Sequence, residues 1–205
     1  MMTISYEYEG ALYVNLTNRC DCNCVFCLRH NGSKGSIYAD DLWLDHEPSR
    51  QEALEDLMKR DMSKYRELVF CGFGEPTFRW DDDAWLIDEM KKRGVRLPPV
   101  RINTNGHANR ILGRDITPEL KGRVDVVSIS LNGSNAKEYT AVTRPSNGEQ
   151  SWDDMLEFAR GAGKYVREVK MTIVNKDKTP EEIEHCRALA ESLGATLRVR
   201  EYIAE

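Results

Sequence analysis

At 205 residues, 40% of them hydrophobic and 31% charged, the chain has the balance of a single globular domain, 1–205, able to bury a core. A net charge of −5 argues against a general basic surface, so nucleic acid is not expected as a partner. Met1 to Glu7 holds no basic stretch leading into an apolar one, and no long uncharged apolar run follows, so a cytoplasmic chain with no membrane anchor is expected.

In chain order, the first apolar run is Leu12-Tyr13-Val14-Asn15-Leu16, which reads as a short buried strand. Directly behind it stand four thiols in eight residues, Cys20, Cys22, Cys24 and Cys27. Without a secretion signal, thiols this dense point to a metal centre rather than to disulfides. Cys20, Cys24 and Cys27 are spaced C-x3-C-x2-C. Three thiolates on one loop can wrap three corners of a [4Fe–4S] cubane and leave the fourth iron open for a ligand. Structural zinc takes two separated pairs of ligands, and no second pair occurs downstream. Cys22 is either a spare ligand or a small loop residue, the second being preferred. Cys71 and Cys186 are isolated and expected in the core.

Asn31 to Ser36 reads as a flexible stretch. Ser49 and Glu52 make a capping-box pattern, with Leu54, Leu57, Met58 and Met62 at helical spacing. Leu68 to Cys71 is a strand that ends in Gly72-Phe73-Gly74-Glu75-Pro76, and Asp81 to Arg93 is a helix stopped by Gly94. Val100 to Asn103 forms the next strand, running into Thr104-Asn105-Gly106, and a short helix is expected around Pro118 to Lys121. Val124 to Leu131 is rich in β-branched residues, and its alternation sets Ser128, Ser130 and Asn132 on one face. Helices near Ala136–Val142 and Trp152–Ala162 flank a loop that contains Arg144. Val169 to Val174 is a strand, Thr179-Pro180-Glu181-Glu182 opens a helix, and Leu197 to Tyr202 is the last strand. Six strands alternating with helices argue for an α/β fold of parallel strands, whose ligands gather at the strand carboxyl ends.

The cysteine spacing, with the aromatic Phe26 before the last thiol, resembles that of the radical S-adenosylmethionine (radical SAM) enzymes. The wording from Tyr13 to Arg29 is most similar to the short radical SAM proteins associated with TatD nucleases. The resemblance implies a partial (β/α)6 TIM-like barrel, a [4Fe–4S] cluster on Cys20, Cys24 and Cys27, and S-adenosylmethionine chelated at the open iron. One electron, from a donor such as flavodoxin or ferredoxin, then cleaves the cofactor to a 5′-deoxyadenosyl radical that takes a hydrogen atom from substrate. Gly74-Glu75 resembles the family's Gly-Gly-Glu motif, although Phe73 separates the two glycines here. Asn103 and Thr104 match a strand end that holds the cofactor's methionine group, Ser130 and Asn132 a strand that meets the ribose, and Val174 an apolar edge for adenine.

For the substrate, Arg144 offers a guanidinium for a carboxylate or phosphate, and Arg29 and His30 stand close behind the cluster. An anionic small molecule or a partner protein is therefore expected. His46, His107 and His185 show no ligand-like grouping and read as structural or exposed. The competing reading is a non-catalytic iron–sulfur or zinc protein that senses or carries electrons.

Overall fold

The computed structural model describes residues 2–29, 41–176 and 178–202. The expectations for His30 and for Asn31 to Ser36 lie outside these residues. The chain opens with a hairpin, β1 (Ser5–Tyr8) and β2 (Ala11–Val14). Its turn residues Glu9 and Gly10 both have positive φ, 47° and 73°, the combination that matches the twist of paired strands. β1 was not expected from the sequence. Its Ser-Tyr-Glu-Tyr run is half polar and lies at an edge, where burial imposes no apolar signature.

Next come α1 (Arg50–Leu57), β3 (Leu68–Phe70), α2 (Trp80–Lys92), β4 (Val100–Thr104), α3 (Ala108–Leu112) and β5 (Val126–Ser130). The chain continues through α4 (Ala136–Thr143), α5 (Gln150–Ala162), β6 (Glu168–Asn175), α6 (Pro180–Ser192) and β7 (Thr196–Glu201). Ser49 with Glu52, and Thr179 with Glu182, close full capping boxes at α1 and α6. α1 ends sooner than its spacing suggests. Met58 is its exposed C-cap, and Met62 begins a separate 3-10 turn.

One sheet holds all seven strands in the order β1-β2-β3-β4-β5-β6-β7, with β1 antiparallel to β2 and every later pair parallel. Alternation divides it into two faces. Leu12, Phe70, Ile102, Ile129 and Ile173 pack outward against Leu86, Met90, Met155 and Phe158 of the helices. Fully burying a side chain of this size contributes about 1.5–3 kcal/mol, so this layer carries most of the stability. A smaller cluster, Tyr6, Ala11, Tyr13, Leu42 and Val69, covers the inner face near β1 to β3. Residues from both outer strands, β1 and β7, line one inner cavity, so the sheet curls toward closure as a partial TIM-like barrel.

Within the outer core, Asp83 of α2 is 1% exposed and neither carboxylate oxygen has a hydrogen-bond partner. Burial pushes its carboxyl well above the usual range; the charge of Arg79 opposes the rise, and Asp82 and Glu75 add to it. Because the folded value is raised, Asp83's contribution is complete below its ordinary value of 3.8 and is lost as pH climbs through the folded value. Asp83→Asn should therefore stabilise the protein by about 1–3 kcal/mol near pH 8 and change little near pH 4, as read by denaturant unfolding at both pH values.

Candidate active site

The segment that delivers the cysteines is fixed before it reaches them. The Asn15 amide donates to the Leu42 carbonyl at 2.7 Å, and Asn18 exchanges bonds with the backbone of Leu44 at 2.8 and 3.1 Å. Arg79 donates to the carbonyls of Leu16 and Pro48 at 3.1 and 2.8 Å. The loop after β3 then packs directly on this segment. The Glu75 N–H donates to the Arg19 carbonyl at 2.7 Å, and a Cβ on Gly74 would sit 2.3 Å from the Thr17 carbonyl oxygen. A Cβ on Gly72 would meet Asn15 Oδ1 at 1.9 Å. Both glycines are required by close approach of the two loops.

Glu75 is 4% exposed, and its carboxylate takes four neutral donors. Oε1 accepts from Thr77 N and Oγ1 at 3.1 and 2.7 Å and from Thr104 Oγ1 at 2.7 Å, while Oε2 accepts from Asn105 N at 2.7 Å. Burial nevertheless raises its pKa above the ordinary value, the four bonds only moderating the rise. The carboxylate thus ties the end of β3 to the end of β4.

A second buried carboxylate belongs to the cysteine loop itself. Asp21 accepts from the Asn105 amide at 2.6 Å, from Arg110, and pairs with His107 Nδ1 at 2.7 Å. His107 is fully buried, and its Nε2 meets the Tyr139 hydroxyl at 2.7 Å. Burial would raise the Asp21 carboxyl, but the bonds from His107 and Asn105 and the Arg110 charge outweigh it and hold the value down. Burial also raises the Tyr139 phenol. The loop is tied on its far side to the last turn of α4 and the loop after it: Val25 N–H donates to the Val142 carbonyl at 2.9 Å, Asn23 N–H to that of Thr143 at 3.0 Å, and Ser146 N–H to that of Asp21 at 2.8 Å.

Cys20, Cys24 and Cys27 all face one cavity of about 290 Å³ at the carboxyl ends of the strands. Cys22 reaches it too, yet is 5% exposed and takes a 3.5 Å contact from the Asn105 amide. Crowding shifts these thiols: the neighbouring Cys20 and Cys24 raise the pKa of Cys22, Cys22 lowers that of Cys24, and burial raises that of Cys27. The Sγ atoms of Cys20 and Cys22 and a carboxylate oxygen of Asp21 lie within 4.8 Å of one another, but Asp21 is already committed to His107, Arg110 and Asn105.

Residues 14–190 match the Radical SAM superfamily. The chain belongs to that superfamily. It is 31% identical over 195 residues to the mycofactocin maturase MftC of Mycolicibacterium smegmatis, covering 90% of this chain and 42% of that protein. It is 30% identical over 151 residues to molybdenum cofactor biosynthesis protein 1 of Dictyostelium discoideum, covering 74% of this chain and 21% of the relative. Among solved structures, Streptococcus suis SuiB bound to S-adenosylmethionine superposes with a TM-score of 0.67 at 15% identity, covering 97% of this chain and 42% of that one. The chain thus spans less than half the length of these relatives. That superfamily uses a [4Fe–4S] cluster and S-adenosylmethionine.

The cavity suits that pair of cofactors, because three thiols share one wall with strand-end polar groups. Phe26, Gly74, Glu75, Asn103, Thr104, Ser130, Asn132 and Val174 line it with the cysteines. Asn132 adopts the left-handed region at φ 53°, and its Oδ1 accepts from Val174 N at 3.2 Å. Asn103 Oδ1 accepts from Arg101 at 2.6 Å. Arg29 and Arg144 are not part of the cavity wall. Arg29 donates to the carbonyls of Cys22 and Asn18 at 2.9 and 3.4 Å, and Arg144 is the exposed, left-handed C-cap of α4.

Sequence reasoning passed over several cavity residues. Cys71 was expected in the core but lines the cavity, as do Tyr6, Tyr8, Arg200 and Tyr202. Cys186 is in the core as expected. His107 is structural, and the signal it lacked was its partner, 86 residues earlier in the chain. His107→Ala should cost about 2–4 kcal/mol, and Tyr139→Phe about 1–3 kcal/mol by stranding Nε2. Unfolding curves and iron retention during anaerobic dialysis check this: both variants should release iron faster than the parent.

Proposed function

We propose that this radical SAM enzyme cleaves S-adenosylmethionine reductively and takes a hydrogen atom from an anionic substrate held in the same cavity. The observation that carries this reading is the convergence of Cys20, Cys24 and Cys27 with the ends of β3, β4, β5 and β6 on one cavity. In this proposal the three thiolates hold the cluster, and Cys22, buried and in contact with the Asn105 amide, stays out of the ligand set. When bound, the cluster supplies the electron and S-adenosylmethionine the 5′-deoxyadenosyl radical. Glu75, Asn103 and Thr104 orient the methionine end; Glu75 meets only neutral donors, so an ammonium group would give its buried charge a counterion. Ser130 and Asn132 hydrogen-bond the ribose, and Phe26 and Val174 cover the adenine. The aromatic inner wall excludes water from the reacting atoms.

The wording from Tyr13 to Arg29 supports placement among the short TatD-associated members, with residues 1–205 as one catalytic domain. The substrate is a small molecule or a peptide segment; one comparable structure, SuiB, is bound to the precursor peptide SuiA. The electron comes from an external donor such as flavodoxin or ferredoxin. Among the described residues no helix is long and apolar enough to cross a membrane, which agrees with a cytoplasmic setting.

Anaerobically reconstituted protein given dithionite and S-adenosylmethionine should release 5′-deoxyadenosine. Ala at Cys20, Cys24 or Cys27 should remove both the iron and this product, whereas Cys22→Ala should keep them. Ser130→Ala with Asn132→Ala should keep the iron and weaken S-adenosylmethionine binding by roughly 0.5–1.5 kcal/mol per lost bond, measured by equilibrium dialysis. Iron lost from the Cys22 variant alone would overturn the ligand set, and unchanged affinity in the double variant would move the ribose elsewhere.

A further inference from the structure

The inner face of the sheet is divided by chemistry. Toward β1 it is aromatic: Tyr6 and Tyr13 stack with centroids 5.2 Å apart, and Tyr8 stands edge-on to Tyr13 at 6.0 Å. Phe73, beside the strand-end glycines, continues this wall. Toward β7 the face is cationic. Leu197 and Val199 pack on the helix-side core, so alternation turns Arg198 and Arg200 to the inner face, opposite Thr172 and Val174 of β6.

The cations of this face differ in how they are held. Arg101 is bound by Glu67 at 3.1 Å and by Asn103, and Lys170 pairs with Glu168 at 3.3 Å. Arg198 and Arg200 make no hydrogen bond or ion pair among the described residues. Glu201 also lines the cavity but forms no salt bridge with Arg200. Arg200 lines the cavity together with Tyr8 of β1 and Cys71, the residue after β3. A half-open cavity with a tyrosine wall on one side and an uncommitted guanidinium on the other is complementary to a flat ring that carries a negative group.

We infer that the substrate end of the cavity binds an aromatic ring bearing a carboxylate or phosphate, with the ring against Tyr8, Tyr13 and Phe73 and the anion on Arg200. This rests on the proposed reading of the cavity as the radical site and gives its substrate a chemical class. It also moves the anion-recognising role from Arg144, exposed outside the cavity wall, to a residue on β7. Arg198, one strand period away on the same face, adds to the field without entering the cavity wall.

The test uses the reconstituted, S-adenosylmethionine-loaded protein titrated with 4-hydroxyphenylacetate and, separately, with its neutral amide, by ligand-observed NMR. The acid should bind roughly fivefold tighter than the amide, a modest factor because Arg200 is partly solvated. Arg200→Gln should erase that preference while leaving amide affinity within about twofold, and Phe73→Ala should weaken both ligands. Arg200→Lys, which keeps the charge without the fork, should retain part of the preference. Equal affinities for acid and amide, no binding of either, or a preference that survives Arg200→Gln would overturn the inference. 5′-Deoxyadenosine yield from the same preparation reports the cofactor reading separately. Its absence alongside an intact charge preference would sink the radical reading and leave the anion site standing.

Discussion

The site depends on two buried carboxylates, joined through one asparagine. Glu75 accepts from the Asn105 N–H, and the Asn105 amide donates in turn to Asp21 and contacts the Cys22 sulfur. Asp21 then continues to His107, and His107 to Tyr139. This one network therefore spans the loop after β3, the end of β4, the cysteine loop and α4. Each link is buried or nearly so, and a missing partner would leave a desolvated group costing about 1–3 kcal/mol, more where it is charged. A loop with four cysteines has little apolar surface of its own with which to fix a conformation. Polar bonds to neighbouring strand ends supply the order that packing does not.

The glycines belong to the same constraint. The loops after β2 and β3 lie so close that a methyl group at Gly72 or Gly74 would overlap Asn15, Thr17 or Arg19. That contact brings the Glu75 N–H to the Arg19 carbonyl, one residue before the first cysteine. The spacing Gly-Phe-Gly-Glu differs from two adjacent glycines because both small residues face the segment before the cysteines, while Phe73 turns to the cavity.

Much of this was legible in the sequence because it is local. Apolar runs marked β3, β5 and β6, the capping boxes marked α1 and α6, and the cysteine spacing marked the cluster loop. What escaped notice is tertiary. His107 follows a turn and gave no sign of its partner, because that partner is Asp21, held between two cysteines. The loop after α4 carries the Arg144 guanidinium, yet it is the backbone that engages the cysteine loop: Asn23 N–H bonds to the carbonyls of Thr143 and Arg144, and Cys22 bridges Pro145. Strand β7 was legible as an alternation, Leu197-Arg198-Val199-Arg200, but which alternate faced a ligand awaited its neighbours. A strand whose apolar residues meet helices must turn its other residues inward, and in a barrel that is open on one side those residues stay hydrated.

That last point bears on why the inner face tolerates charge at all. A closed eight-stranded barrel fills its interior with side chains, and an unpaired arginine there would carry a large desolvation penalty. Here six parallel strands and one antiparallel edge strand curl without closing, leaving β7 half exposed and its guanidiniums in contact with water. The penalty for Arg200 is therefore small while the cavity is open. It grows when a ligand displaces that water, unless the ligand brings an anion of its own. A neutral ring would have to strip water from the guanidinium and return nothing, whereas a carboxylate replaces the lost hydration with two directed bonds. The incomplete barrel thus turns a charge that costs little when solvated into discrimination against neutral ligands.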